Sequence, residues 1–138
     1  MNKEVEILNI SDIEKYIEFI KTVFGYEPNE KDIKKLIKKS KVLIVKDNEK
    51  IISSICIEER YEYIKGQKYY FLSYLGTLKE YRRNGYASLI FKTIEEMVKE
   101  NNINYLELTS GNQRRSAHFF YKSKEFKIKD TTVFVKIY

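Results

Sequence analysis

An α+β fold is what this 138-residue sequence predicts, with a mixed, mostly antiparallel sheet, a central parallel βαβ unit and helices on both faces. Three observations carry the prediction. Two segments with helical periodicity come first. Three segments rich in β-branched and aromatic residues follow, joined by short turns, and read as an antiparallel meander. A long amphipathic helix then lies between two strand-like segments, and strands joined through a helix run parallel in one sheet.

The first helix is predicted over "SDIEKYIEFIKTVFG". Ser11 with Glu14 three residues on has the form of a capping box, and Gly25 suits a helix stop. Its buried stripe is expected at Ile13, Tyr16, Ile17, Ile20, Val23 and Phe24. Pro28, the one proline, separates it from a second helix over Glu30 to Lys39. "KVLIVKD" and "KIISSICIEER" form a hairpin that turns near Asn48 and Glu49, and "QKYYFLSYLGTL" supplies the third strand. From Gly85 to Glu100, Leu89, Ile90, Ile94, Met97 and Val98 recur at helical spacing, and "INYLELT" is the next strand. A short helix over "RRSAHFFYKS" and a final strand over "TTVFVKIY" complete the order.

The length suits one domain over residues 1–138, since two separate cores would each be small. An apolar share of 43% can fill such a core. The N-terminal residues are charged throughout, which predicts no signal peptide, no membrane segment and a cytoplasmic protein. Cys56 stands between Ile55 and Ile57 and reads as a buried structural thiol. One cysteine and one histidine, His118, leave no set with metal-ligand spacing, so no metal is expected. The net charge of +6 invites a phosphate-bearing partner. Dispersed lysines speak against nucleic acid, and the dense block "KDIKKLIKKSK" reads as an amphipathic helix with a solvated basic face.

The sequence spends one of its five glycines at a strand-to-helix turn, in "YRRNGYASLIF". The first amides of a helix lack partners within it and carry the positive end of its dipole, so they attract phosphate. Gly85 and the small Ala87 let an anion approach the backbone, and Arg82 and Arg83 add charge. Neither a P-loop nor a three-glycine dinucleotide fingerprint is present, so a different pyrophosphate ligand is required.

Arg82, Arg83, Asn84, Gly85, Tyr86 and Ala87 together resemble the Gln/Arg-x-x-Gly-x-Gly/Ala hallmark of the GNAT-type N-acetyltransferases. The strand before this loop, the helix and strand after it, and "AHFFYKSKEF" extend the resemblance over Tyr69 to Tyr138. The resemblance implies a GNAT-like fold, acetyl-CoA as co-substrate, its pyrophosphate at this loop, and backbone groups of Leu75, Gly76 and Thr77 facing the pantetheine arm. Ordinary sheet pairing accounts for those three residues as well. Tyr121 matches the position of the family's proton donor to the departing thiolate. Two departures stand out: Arg114 replaces a common Asn, and Glu125 with Phe126 replaces the usual Gly-Phe. Arg114 could serve the cofactor's phosphates or a substrate carboxylate.

An amine of pKa about 10.4 is neutral in only about one part in a thousand at pH 7, a cost near 4 kcal/mol, so a base or water chain should assist. Glu58 and Glu59 end the strand before the central one and are the candidate bases, although charged strand ends are also commonly just solvated. Tyr61, Tyr63, Tyr69, Tyr70 and Tyr74 crowd the next hairpin and suit an acceptor wall, packing, or a homodimer surface. The expected activity is acetyl transfer to the primary amine of a small molecule, the leaning of relatives that share "TSGNQRRSAHFFY". A protein amino group as acceptor, or a silent acetyl-CoA-binding regulatory module, are the alternatives.

Overall fold

A computed structural model describes residues 3–138, which fall into two compact units, one ending at Leu108 and the other spanning Thr109–Tyr138. The first unit contains one five-stranded sheet. Its elements are β1 (Val5–Ile7), α1 (Ile13–Phe24), α2 (Glu30–Lys39), β2 (Lys41–Asp47), β3 (Lys50–Glu62), β4 (Gln67–Thr77), α3 (Tyr86–Glu100) and β5 (Tyr105–Leu108). Strands lie in chain order, all neighbours antiparallel except the parallel β4–β5 pair joined through α3. This is the mixed α+β sheet that the sequence predicts.

Val42 to Val45 in β2 and Ile51 to Ile57 in β3 are buried without interruption, which requires cover on both faces of the sheet. Side-chain parity shows what supplies it. Cys56 meets Tyr16 of α1, so the face carrying Cys56, Glu58 and Arg60 lies under α1 and α2. On the opposite face Tyr70 accepts a hydrogen bond at 3.1 Å from Asn101, the residue that ends α3. Asn48 and Glu49 both adopt φ +52°, the paired left-handed geometry of a tight turn that matches strand twist. Gly25 ends α1 at φ +78°, donating its N–H to Lys21 at 3.0 Å.

Local details differ from the sequence reading. β1 was not anticipated: three residues show no alternation of their own, and the strand exists because Val5 to Ile7 pair with Leu43 to Val45. The capping box at Ser11 and Glu14 does not form. The chain enters α1 through a 3₁₀ turn over Ile10–Asp12, where the side chain of Asn9 accepts from the Ser11 amide at 2.9 Å. Asp12 receives Lys46 at 2.9 Å instead of capping the helix. Phe19 joins the buried stripe of α1, while Ile17, Val23 and Phe24 are half-buried.

The second unit contains one helix, α4 (Arg115–Ser123). The final strand expected over "TTVFVKIY" is not formed, and Val133, Phe134, Val135 and Ile137 are exposed. Alternation gives these residues strand propensity, yet a strand exists only where a second edge takes its N–H and C=O groups. Glu125 stands at φ +69° just past α4, the left-handed position that Gly usually fills.

Candidate functional site

The turn into α3 has the features that its sequence requires. Gly85 is the N-cap of α3 at φ +81°, a conformation costly for any residue with a Cβ. Gly85 has no side chain to cap this terminus, and no acidic residue sits in its first turn to offset the positive end of the dipole. A Cβ at Gly85 would meet nothing within 4 Å, so the glycine answers to backbone conformation, with open space beside it. Arg83 is also left-handed, at φ +63°. The Asn84 amide donates to the carbonyls of Tyr81 and Arg82, both at 3.1 Å, which clips the turn shut. Arg82 donates through Nε to the Thr77 carbonyl at 3.2 Å, fastening the turn to the end of β4. Tyr86 is buried and Ala87 half-buried.

β4 is irregular at the same end. Ser73 pairs with Cys56 and Gly76 with Ser54, so Tyr74 and Leu75 stand opposite Ile55 alone. This bulge places Tyr74 at φ +52°. Pairing with β3 resumes at Gly76 and Thr77, where the Ser53 hydroxyl donates to the Gly76 carbonyl at 3.1 Å and lies 2.9 Å from the Thr77 hydroxyl. The ladder to β5 ends at Leu72 and Leu108, so Ser73 to Thr77 have a sheet neighbour on the β3 side only. Gly76 also answers to packing: a Cβ there would come within 2.7 Å of Val23 and 2.8 Å of Phe24.

A cavity of about 480 Å³ opens beside this bulge, bounded by α1, α2, their linker and the β3–β4 surface, with Ser73 and Tyr74 at its edge. Glu58 lines it; Glu59, one residue on, points to the opposite face, towards Tyr70. The Glu58 carboxylate receives Arg60 Nε, and the Arg60 guanidinium lies 4.1 Å from the centroid of Phe71. At the base of the cavity Tyr16 and Cys56 are 3.2 Å apart, and burial pushes both their pKa values up. Of the five tyrosines singled out in the sequence, Tyr74 alone lines this cavity. Tyr69 stacks on Tyr105 at 4.6 Å, and Tyr61 and Tyr63 form an exposed edge-to-face pair. Phe71, Tyr26, Ile33 and Leu36 were not anticipated as lining residues. Helical spacing puts Ile33 and Leu36 on the apolar side of α2, a signal the sequence holds, whereas Phe71 comes opposite Glu58 only through the β3–β4 register.

In the second unit Tyr121 is 9% exposed, with Phe120 and Phe126 edge-on at 5.8 and 5.7 Å. Burial raises its pKa, against a smaller downward pull from Arg114. Its hydroxyl therefore stays protonated at neutral pH. Arg114 precedes α4, accepts the His118 amide on its carbonyl at 3.1 Å, and has an exposed side chain.

The model of the acetyltransferase (GNAT) family matches residues 7–126. No curated protein matches the chain in sequence. Solved structures do. An aminoglycoside antibiotic 6′-N-acetyltransferase from Acinetobacter baumannii is similar at TM-score 0.83 and 18% identity, over 99% of each chain. A ribosomal-protein-alanine N-acetyltransferase from Brucella melitensis gives 0.83 at 12% identity, over 99% of this chain and 100% of that one. A transcriptional regulator from Bacillus halodurans gives 0.85 at 17%, with the same coverage. At such identities the likeness concerns the fold.

Proposed function

Because the chain belongs to the GNAT family of acetyltransferases, we propose that it transfers an acetyl group from acetyl-CoA to the primary amine of a small molecule, with Tyr121 as general acid. The whole chain acts as one acetyltransferase domain on this reading, since the family match crosses both compact units. The observation that carries it is the uncapped terminus of α3, with Gly85 left-handed and Arg82 fastened to the end of β4. The amides that open a helix, two arginines and no carboxylate in the first turn form a donor set suited to a diphosphate. Arg82, Arg83, Asn84, Gly85, Tyr86 and Ala87 would hold it there. Leu75, Gly76 and Thr77, on the side of β4 without a sheet neighbour, would meet the pantetheine arm. Arg114 would serve the phosphates or a substrate carboxylate.

When bound, acetyl-CoA supplies an activated acyl carbonyl with a thiol leaving group of ordinary pKa about 8.5. The chain's own residues orient the partners and move protons. Glu58, in the cavity beside the bulge, is the candidate base for the amine. Glu59 faces away from that cavity, which favours Glu58 of the two. A buried neutral Tyr121 can give its proton to sulfur at any pH below its raised pKa. The cavity volume of about 480 Å³, within the range of small-molecule sites, supports a small acceptor.

The test is a thermal-shift titration with coenzyme A and acetyl-CoA, since ligand at 100 times its Kd adds about 2.7 kcal/mol of stability. Tyr121→Phe is expected to lower kcat by about 10²-fold, the low end for general acid catalysis because a thiol leaves readily. Its coenzyme A shift should be unchanged. No shift with the wild-type chain would defeat the proposal, and unchanged turnover would remove Tyr121 from it.

A further inference from the structure

The cavity between α1, α2 and the sheet carries information about its occupant that the family match does not. Tyr16 and Ile20 of α1, Ile33 and Leu36 of α2, and Phe71 and Tyr74 of β4 give it apolar and aromatic walls. Tyr26 and Pro28 complete the rim from the α1–α2 linker. Its volume of about 480 Å³ lies within the range of small-molecule sites, about 300–1,000 Å³.

The charges in it are few and already matched. Among the described residues that line it, Glu27, Glu58 and Arg60 are the formally charged ones. Glu58 is paired with Arg60, and Glu27 receives Lys21 at 3.1 Å. One ammonium can share Glu58, whereas a second positive charge on the same ligand would face Ile33, Leu36 and Phe71, or would have to compete with Lys21 for Glu27. An unpaired charge against apolar walls is strongly disfavoured. The +6 net charge of the chain adds repulsion at long range.

We propose that the cavity takes a singly charged amine with a compact apolar or aromatic body, its ammonium at Glu58, and rejects polycations such as polyamines and aminoglycosides. The substrate chemistry rests on the acetyl-transfer reading; the binding preference rests on the cavity alone. The preference is opposite to the one in the name of the Acinetobacter neighbour, a protein of similar fold. Fold similarity carries no acceptor specificity, because these side chains decide it.

The full-length chain tests this with phenethylamine, spermidine and kanamycin, compared by calorimetric binding without acetyl-CoA and by release of coenzyme A thiol with it. Phenethylamine should bind saturably and exceed the other two at least about tenfold in affinity and kcat/KM, the scale on which apolar pockets discriminate. Leu36→Glu should weaken phenethylamine binding about tenfold and narrow the gap to spermidine. Tyr26→Ala, at an exposed rim position that folding tolerates, should weaken phenethylamine binding several-fold. Spermidine or kanamycin binding as tightly as phenethylamine would overturn the inference. So would absence of phenethylamine binding, or both variants binding it as the wild type does. Phenethylamine bound selectively but never acetylated would support the cavity's preference and defeat the acetyl-transfer reading.

Discussion

Replacing Gly85 by alanine separates what the glycine does for the backbone from what it does for a ligand. At φ +81° an L-residue with a Cβ costs about 1–2 kcal/mol. The stiffer unfolded chain of the alanine variant returns about 0.4–1 kcal/mol. No steric cost is added, because a Cβ there meets nothing within 4 Å. The net loss is therefore about 1 kcal/mol, a fall in Tm of about 4 °C for a chain of this size. Urea unfolding of Gly85→Ala beside Gly85→Asn checks it, since asparagine tolerates the left-handed region and should lose less. A loss of about 3 kcal/mol or more would mean an unseen clash, and no loss would mean that the conformation is unstrained; either result refutes the reasoning. A coenzyme A titration of the same variant is the second readout. If the open space beside Gly85 belongs to the ligand, stabilisation by a fixed coenzyme A concentration falls further than the change in folding predicts.

Three further outcomes follow from buried polar groups and backbone strain. Burial raises the Tyr16 pKa, so the folded state favours the neutral hydroxyl; that stabilisation is complete below the ordinary value of about 10 and is lost as pH rises above it. The urea midpoint should drop between pH 9 and about 11, and the drop should be shallower in Tyr16→Phe; an equally steep drop would clear Tyr16. Ser53 and Ser54 are neighbours with opposite expectations: Ser53 bonds Gly76 and Thr77, while the buried Ser54 hydroxyl has no protein partner. Ser53→Ala should cost about 1 kcal/mol and Ser54→Ala little or nothing, measured by denaturant midpoints. Glu125→Gly should stabilise by about 0.5–1 kcal/mol by relieving a left-handed glutamate, and a destabilised variant would show that the glutamate side chain outweighs the strain.

Helices α1, α2 and α3, the turn at Asn48 and Glu49, and the glycine that opens α3 could all be read from the sequence. Each depends on residues within one or two turns of one another: apolar spacing, a glycine or asparagine at a turn, no acid ahead of a helix. Such interactions are local, so their pattern survives in one dimension. What was misjudged depends on partners far along the chain. Val5 to Ile7 form a strand only because β2 offers its edge, and residues 131–138 alternate like a strand yet pair with none. The bulge at Tyr74 and Leu75 arises from the register imposed by β3.

Alternation along β3 puts Glu58 and Glu59 on opposite faces, and the sequence alone determined that much. Which face holds the cavity was decided by α1 and α2 covering one side of the sheet and α3 the other. The same packing brought Ile33, Leu36, Tyr26 and Phe71 together from separate elements. Spacing along a chain encodes which way a side chain points, but what it points at depends on layers brought together by burial of apolar surface over long separations.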